Sequence, residues 1–209
     1  MTGASQPNPP IAASLAVWDI PSPAVAGERF TITVGVKSAA DSDLRGRRIE
    51  VCDAAGAVIG EGRLGDTPWA QTRALYWAGL SLPAPATEGL ATLSVRFRAS
   101  GLEPPHADAA YRFSVAVARA PEHTLTVKVV AKETAAPIEH AEIRLGAYRA
   151  ATDRSGLAEL RMCGGTYELQ VWKIGYDAPP AAVQVKADGH IQVEAVTLPE
   201  ESADRAWKT

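Results

Sequence analysis

Four histidines, two cysteines and five tryptophans are the residues of this chain whose chemistry is most distinctive, and their spacing favours recognition over catalysis. His106, His123, His140 and His190 stand far apart. There is no His-x-His, Cys-x-x-Cys or His-Glu-x-x-His, so no metal site and no cofactor are expected. A Gly-x-Ser-x-Gly nucleophile elbow is also missing. His106 lies in a Glu-Pro-Pro-His stretch and His190 in Asp-Gly-His, and both read as solvated loop histidines. Cys52 and Cys163 have no neighbouring His to activate a thiolate, and they fall in different halves of the chain. They read as free, exposed thiols in a reducing compartment.

The tryptophans carry the recognition chemistry. Tyr76 and Trp77 are consecutive on a predicted strand and so face opposite sides, which leaves one of them outside the core. Trp172 is out of phase with Tyr167, Leu169 and Val171, and is expected to face outward. Trp69, Trp77 and Trp172 are therefore the binding candidates, since an exposed indole stacks on sugar rings or anchors a protein contact. The plainer alternative is that each covers a core edge or a domain junction. Arg45, Arg47 and Arg48 form a local basic cluster beside Asp41 and Asp43, and read as a solvated loop.

Strands must position these side chains. Phe30, Ile32, Val34 and Val36 alternate with Thr31, Thr33, Gly35 and Lys37, a strand with one wet face. Leu15–Asp19 and Thr72–Trp77 are further strand candidates, and Asp53-Ala-Ala-Gly56 joins Ile49 and Val51 to Val58 and Ile59 as a hairpin. Leu93, Val95 and Phe97, then Tyr111, Phe113, Val115 and Val117, repeat the alternation. About seven short strands with Gly and Pro turns predict an antiparallel sandwich over residues 11–120, similar to immunoglobulin and fibronectin type III modules in layout only. Residues 1–10 read as a disordered leader and 200–209 as a polar tail containing Trp207.

The second half carries a more specific pattern. Leu125–Ala131 opens it, followed by Pro137-Ile138-x-x-Ala141-x-Ile143, the turn Thr152-Asp153-x-x-Gly156, the strand start Gly165-Thr166-Tyr167, and Gly175-Tyr176. Asp153 is placed to cap free N–H groups, Gly156 to take a positive φ, and Gly164-Gly165 to make the next reversal. In this order the motifs, over about residues 122–199, resemble the carboxypeptidase regulatory-like domain, a transthyretin-like β-sandwich related to adhesin repeat modules. The resemblance implies a module that supports folding, spacing or partner binding rather than catalysis. Transthyretin-like enzymes of purine breakdown carry a C-terminal Tyr-Arg-Gly-Ser that this chain lacks. The isopeptide cross-link of adhesin sandwiches would need a buried lysine such as Lys128 or Lys132 with Glu159 as acid, but Asn8 is the chain's lone asparagine.

Composition narrows the classes further. The chain has 209 residues, 46% of them apolar and 22% charged, with a formal net charge of −3. This suits a globular protein of two small domains. Acids and bases balance in residues 1–121, so the concentrated positive face of a nucleic-acid protein is not expected. No stretch approaches the roughly 20 apolar residues of a membrane span, and residues 1–10 lack a signal-peptide pattern. A cytoplasmic location is expected if Met1 is the native start, and an extracytoplasmic one stays open if the start is truncated or misassigned. The excess of Arg over Lys, with abundant Ala, points to a GC-rich bacterial genome.

The expectation is thus an all-β chain of two tandem antiparallel β-sandwich domains, at 11–120 and 122–199. The expected role is a non-enzymatic structural or interaction module that binds another protein through sheet edges, loops or exposed aromatics. Carbohydrate binding by tryptophans is the alternative, and it predicts a planar row of exposed rings with polar neighbours.

Overall fold

The computed structural model describes residues 9–72 and 74–199, and among these there are strands, turns and loops but no helix. The leader expected at 1–10, except for Pro9 and Pro10, and the tail with Trp207 lie outside the described residues, as does Asn8. The chain divides into two compact units, one ending at Val117 and the other beginning at Ala118.

The first unit holds eight strands: β1 (Ala13–Trp18), β2 (Ala24–Val25), β3 (Arg29–Ser38), β4 (Arg48–Cys52), β5 (Val58–Arg63), β6 (Leu75–Pro83), β7 (Gly89–Phe97) and β8 (Ala109–Ala118). They form a three-stranded sheet in the order β1-β3-β6 and a five-stranded sheet in the order β2-β8-β7-β4-β5. Strand alternation explains the packing between them. Phe30, Ile32, Val34 and Val36 from β3 meet Ile49, Val51, Val95, Phe97, Phe113 and Val115 from the other sheet in one buried core. Gly60 and Gly62 let β5 approach β6 closely, where an added Cβ would strike Leu82 and Leu80. The strand expected at 72–77 lies instead at Leu75–Pro83, because Thr72 turns back to donate its N–H and Oγ1 hydrogens to the Trp69 carbonyl, at 2.9 and 2.7 Å.

The second unit contains β9 (His123–Ala131), β10 (Glu142–Leu145), β11 (Tyr148–Ala151), β12 (Leu157–Met162), β13 (Gly165–Trp172), β14 (Tyr176–Asp177), β15 (Ala181–Val185) and β16 (Gly189–Thr197). Its sheets run β11-β10-β13-β15 and β12-β9-β16-β14, enclosing a separate core of Val127, Val129, Ile143, Leu145, Leu160, Met162 and Leu169. One pair in this unit departs from the expected antiparallel order. β16 runs parallel to β9, from Gly189 opposite Leu125 to Ala195 opposite Ala131. The strand that opens the unit and the one that closes it are neighbours, and the rest of the sandwich forms the long crossover that parallel pairing requires.

The Thr152–Gly156 turn behaves as its residues dictate. Asp153 Oδ1 accepts the N–H groups of Ser155 and Leu157 at 2.8 and 3.0 Å, and Gly156 takes φ +73° with the Val129 carbonyl 2.5 Å from any added Cβ. Gly164-Gly165 differs from expectation. Neither glycine has a positive φ, and the connection carries the chain from the β12 sheet to the β13 sheet rather than closing a hairpin.

Candidate functional site

The outer face of the β1-β3-β6 sheet gathers three tryptophans. Trp18 ends β1, and Asp19 then turns the chain at φ 56° and accepts the Thr33 hydroxyl at 2.7 Å. The Trp18 ring lies across Gly35 of β3, where a Cβ would come within 2.8 Å of the indole and 2.9 Å of Leu75. The face of β3 expected to be wet is thus covered at Thr33 and Gly35. Trp77 pairs with Gly35 from the other side and is 37% exposed, while Tyr76 points into the core at 9%. The predicted opposition of that pair is correct, with Trp77 the outer member.

Trp69 comes from the β5–β6 loop and completes the cluster. The loop is laid beside β6 by Gly65 N–H donating to the Trp77 carbonyl at 2.9 Å and Trp69 N–H to the Leu75 carbonyl at 2.7 Å. Its ring centroid lies 5.1 Å from Trp18 and 5.2 Å from Trp77, at interplanar angles of 83° and 82°. Each edge-to-face pair contributes about 0.5–1.5 kcal/mol beyond area burial. Trp69 nevertheless keeps 39% of its surface exposed. Sequence reasoning selected Trp69 and Trp77 but did not place Trp18 with them, since nothing local joins β1 to the β5–β6 loop.

Trp172 belongs to the second unit and makes a different surface. It is 58% exposed, at the end of β13 opposite Glu142, with Gln170 opposite Arg144. These four residues, with Ala178 and Pro180, line a groove of about 460 Å³. Arg144 Nε donates to Glu142 Oε1 at 2.8 Å, and this bond holds the Glu142 carboxyl below its usual pKa. The three candidate tryptophans therefore divide between two units: Trp69 and Trp77 join one cluster, and Trp172 has its own groove.

The titratable groups are arranged for structure. His106, expected to be solvated, is buried. Its Nδ1 faces the Pro104 carbonyl at 2.6 Å and must carry the proton, so Nε2 accepts from the Ser38 hydroxyl at 2.8 Å. Ser38 is fully buried, and the Ser–His pair ties the end of β3 to the β7–β8 loop. Both cysteines correct the expectation of exposed thiols: Cys52 and Cys163 are free and buried. β4 keeps its register with β7 through Cys52, opposite Ser94, so Cys52 holds the parity opposite to Ile49 and Val51 and lies outside their core cluster, yet it is covered on that face. The Cys163 thiol donates toward the carbonyls of Arg119 and Ala120 at 3.4 and 3.5 Å. Lys128 and Glu159 are exposed on outer faces, which denies the isopeptide reaction its buried pair. Among the described residues no cluster of three His, Cys, Asp or Glu side chains is placed to hold a metal ion, and no helix is long and apolar enough to cross a membrane.

No protein-family model matches this chain, and no curated protein is significantly similar to it in sequence. Solved structures do resemble it. A variant of the major pilin subunit BcpA of Bacillus cereus aligns over 88% of this chain and 70% of its own, at 10% identity and a TM-score of 0.32. The fibronectin(III)-like modules of Clostridium thermocellum CbhA align over 88% and 94%, at 13% identity and 0.34. Domains 5–6 of the S-layer protein SbsC align over 84% and 96%, at 11% identity and 0.29.

Proposed function

We propose that this chain is a non-enzymatic interaction module that holds another protein against the outer face of the β1-β3-β6 sheet, with Trp69 and Trp77 as anchors. The observation that carries this reading is the placement of Trp69, which a loop brings onto the sheet and locks edge-on between two other indoles while two-fifths of it stays in solvent. A pre-ordered aromatic cluster of this kind loses little side-chain freedom on docking, which is how tryptophans act as interface hot spots. The second unit is read as a carboxypeptidase regulatory-like support module. That assignment draws on its motif order and on the Asp153–Gly156 turn.

Carbohydrate binding remains a second reading for one place alone. The near-perpendicular rings of the Trp18–Trp69–Trp77 cluster offer no planar row to a sugar, whereas Trp172 presents a single exposed ring beside Glu142, Arg144 and Gln170. Two variants separate the readings. A protein captured from native extract and then re-bound in purified form should lose affinity about tenfold or more with Trp69→Ala/Trp77→Ala and keep it with Trp172→Ala. Oligosaccharides that quench tryptophan fluorescence in the intact chain but not in Trp172→Ala would transfer the function to the groove.

A further inference from the structure

Arginines far apart in sequence converge at one end of the five-stranded sheet. Arg45, Arg47 and Arg48 from the start of β4 and the loop before it meet Arg63 at the end of β5 and Arg98 just after β7, around a cleft of about 540 Å³. Register explains the meeting. Arg48 pairs with Arg63, and since Ile49 pairs with Phe97, Arg98 falls on the other side of Arg48. Three guanidinium groups thus stand in one row across β5, β4 and β7, although like charges on facing positions destabilise a sheet.

The acids nearby compensate this row only in part. Asp43 pairs with Arg45, Glu50 and Glu61 with Arg48, and Glu50 and Asp108 with Arg98. Among the described residues Arg47 and Arg63 are bound to carbonyls. Arg47 donates to Ser100 and Gly101 at 3.1 and 2.9 Å, and Arg63 to Gly46 at 3.0 Å. These bonds orient both guanidinium groups, and among the described residues neither has an ion-pair partner. A cleft lined by five arginines suits oxygen anions in bidentate geometry.

We propose that this cleft binds an acidic peptide segment of a partner protein, with carboxylates on the forks of Arg47 and Arg63. Glu50 is also a wall residue, and it favours a peptide, whose amide N–H groups satisfy a carboxylate, over a nucleic acid, which needs an unbroken positive track. β5 is moreover the last strand of its sheet, so an extended peptide finds main-chain groups to pair with beside Arg63. This site is separate from the tryptophan cluster and stands or falls independently of it.

The test is fluorescence anisotropy of the full chain with fluorescein-labelled hexaglutamate, a Gly-Ser peptide of equal length and a single-stranded oligonucleotide of equal charge. Hexaglutamate is expected to bind saturably, to weaken with salt, and to lose about tenfold in affinity in Arg63→Gln and again in Arg63→Gln/Arg98→Gln. Both side chains lie on the sheet's outer face, and unchanged circular dichroism verifies the fold. No saturable hexaglutamate binding, equal affinity in the variants, or equally tight binding of the oligonucleotide would overturn the proposal.

Discussion

Gly35 is the residue on which the tryptophan cluster rests. Its lack of a side chain admits the Trp18 ring, and Gly35→Ala would place a methyl group 2.8 Å from that ring with Leu75 at 2.9 Å on the other side. Trp18 must then move. The variant is expected to lose about 1–3 kcal/mol in denaturant unfolding and to shift tryptophan fluorescence, and an unchanged spectrum would mean that the cluster does not depend on this approach. Ser38 has a comparable role three residues on, at the end of β3. Ser38→Ala removes the donor to His106 Nε2 and leaves a buried acceptor unpaired, at an expected cost of about 1–3 kcal/mol by the same measurement. Neither role follows from residue type. Gly35 reads as one small residue on a wet face, and His106 as a loop histidine, until strands distant in sequence come to lie beside them.

At the scale of elements, the β10-β13 sheet holds a paired tyrosine arrangement whose titration can be followed. Tyr148 and Tyr167 meet at 5.8 Å, edge to face. The Tyr148 hydroxyl accepts the Cys163 N–H at 3.1 Å, and the Tyr167 hydroxyl donates to the Cys163 carbonyl at 3.0 Å. Burial is the main cause that raises both pKa values above the ordinary 10.0. A group whose neutral form is favoured by folding stabilises fully below its unfolded pKa, so this contribution is intact below about pH 10 and is lost as pH climbs towards the folded values. Ultraviolet difference titration should show these tyrosines ionising late and together with unfolding. Ionisation of Tyr148→Phe and the intact chain along one curve would refute it. The strand alternation that put Tyr167 inward was legible in sequence, whereas its partner on β11 was not.

For the whole molecule, two cores without shared residues lead to the expectation that each unit folds by itself. Residues 118–199 expressed alone should give a cooperative unfolding transition and the same late tyrosine ionisation as the intact chain. A collapsed state without near-ultraviolet dichroism would show instead that the second unit needs the first. The two proposed surfaces of the first unit belong to its different sheets, the tryptophans to β1-β3-β6 and the arginines to β2-β8-β7-β4-β5. Charge reversal at Arg63 is therefore expected to leave tryptophan fluorescence unaltered, a comparison that also separates the two binding proposals.

Local periodicity determined a large part of this protein. The buried faces of β3, β7, β8 and β13, the opposition of Tyr76 and Trp77, the outward turn of Trp172, the hairpin at Asp53–Gly56 and the Asp153–Gly156 turn all follow from alternation of period two and from residues suited to particular turns. What lay outside its reach was each feature that depends on which strands become neighbours. The parallel β9–β16 pair, the burial of Cys52 outside the core, the loop that carries Trp69 onto Trp18, and the row of Arg63, Arg48 and Arg98 were decided by the tertiary structure. Alternation tells a side chain which face it occupies, but sheet order and register tell it what it touches, and those are set by the burial of a whole core at once.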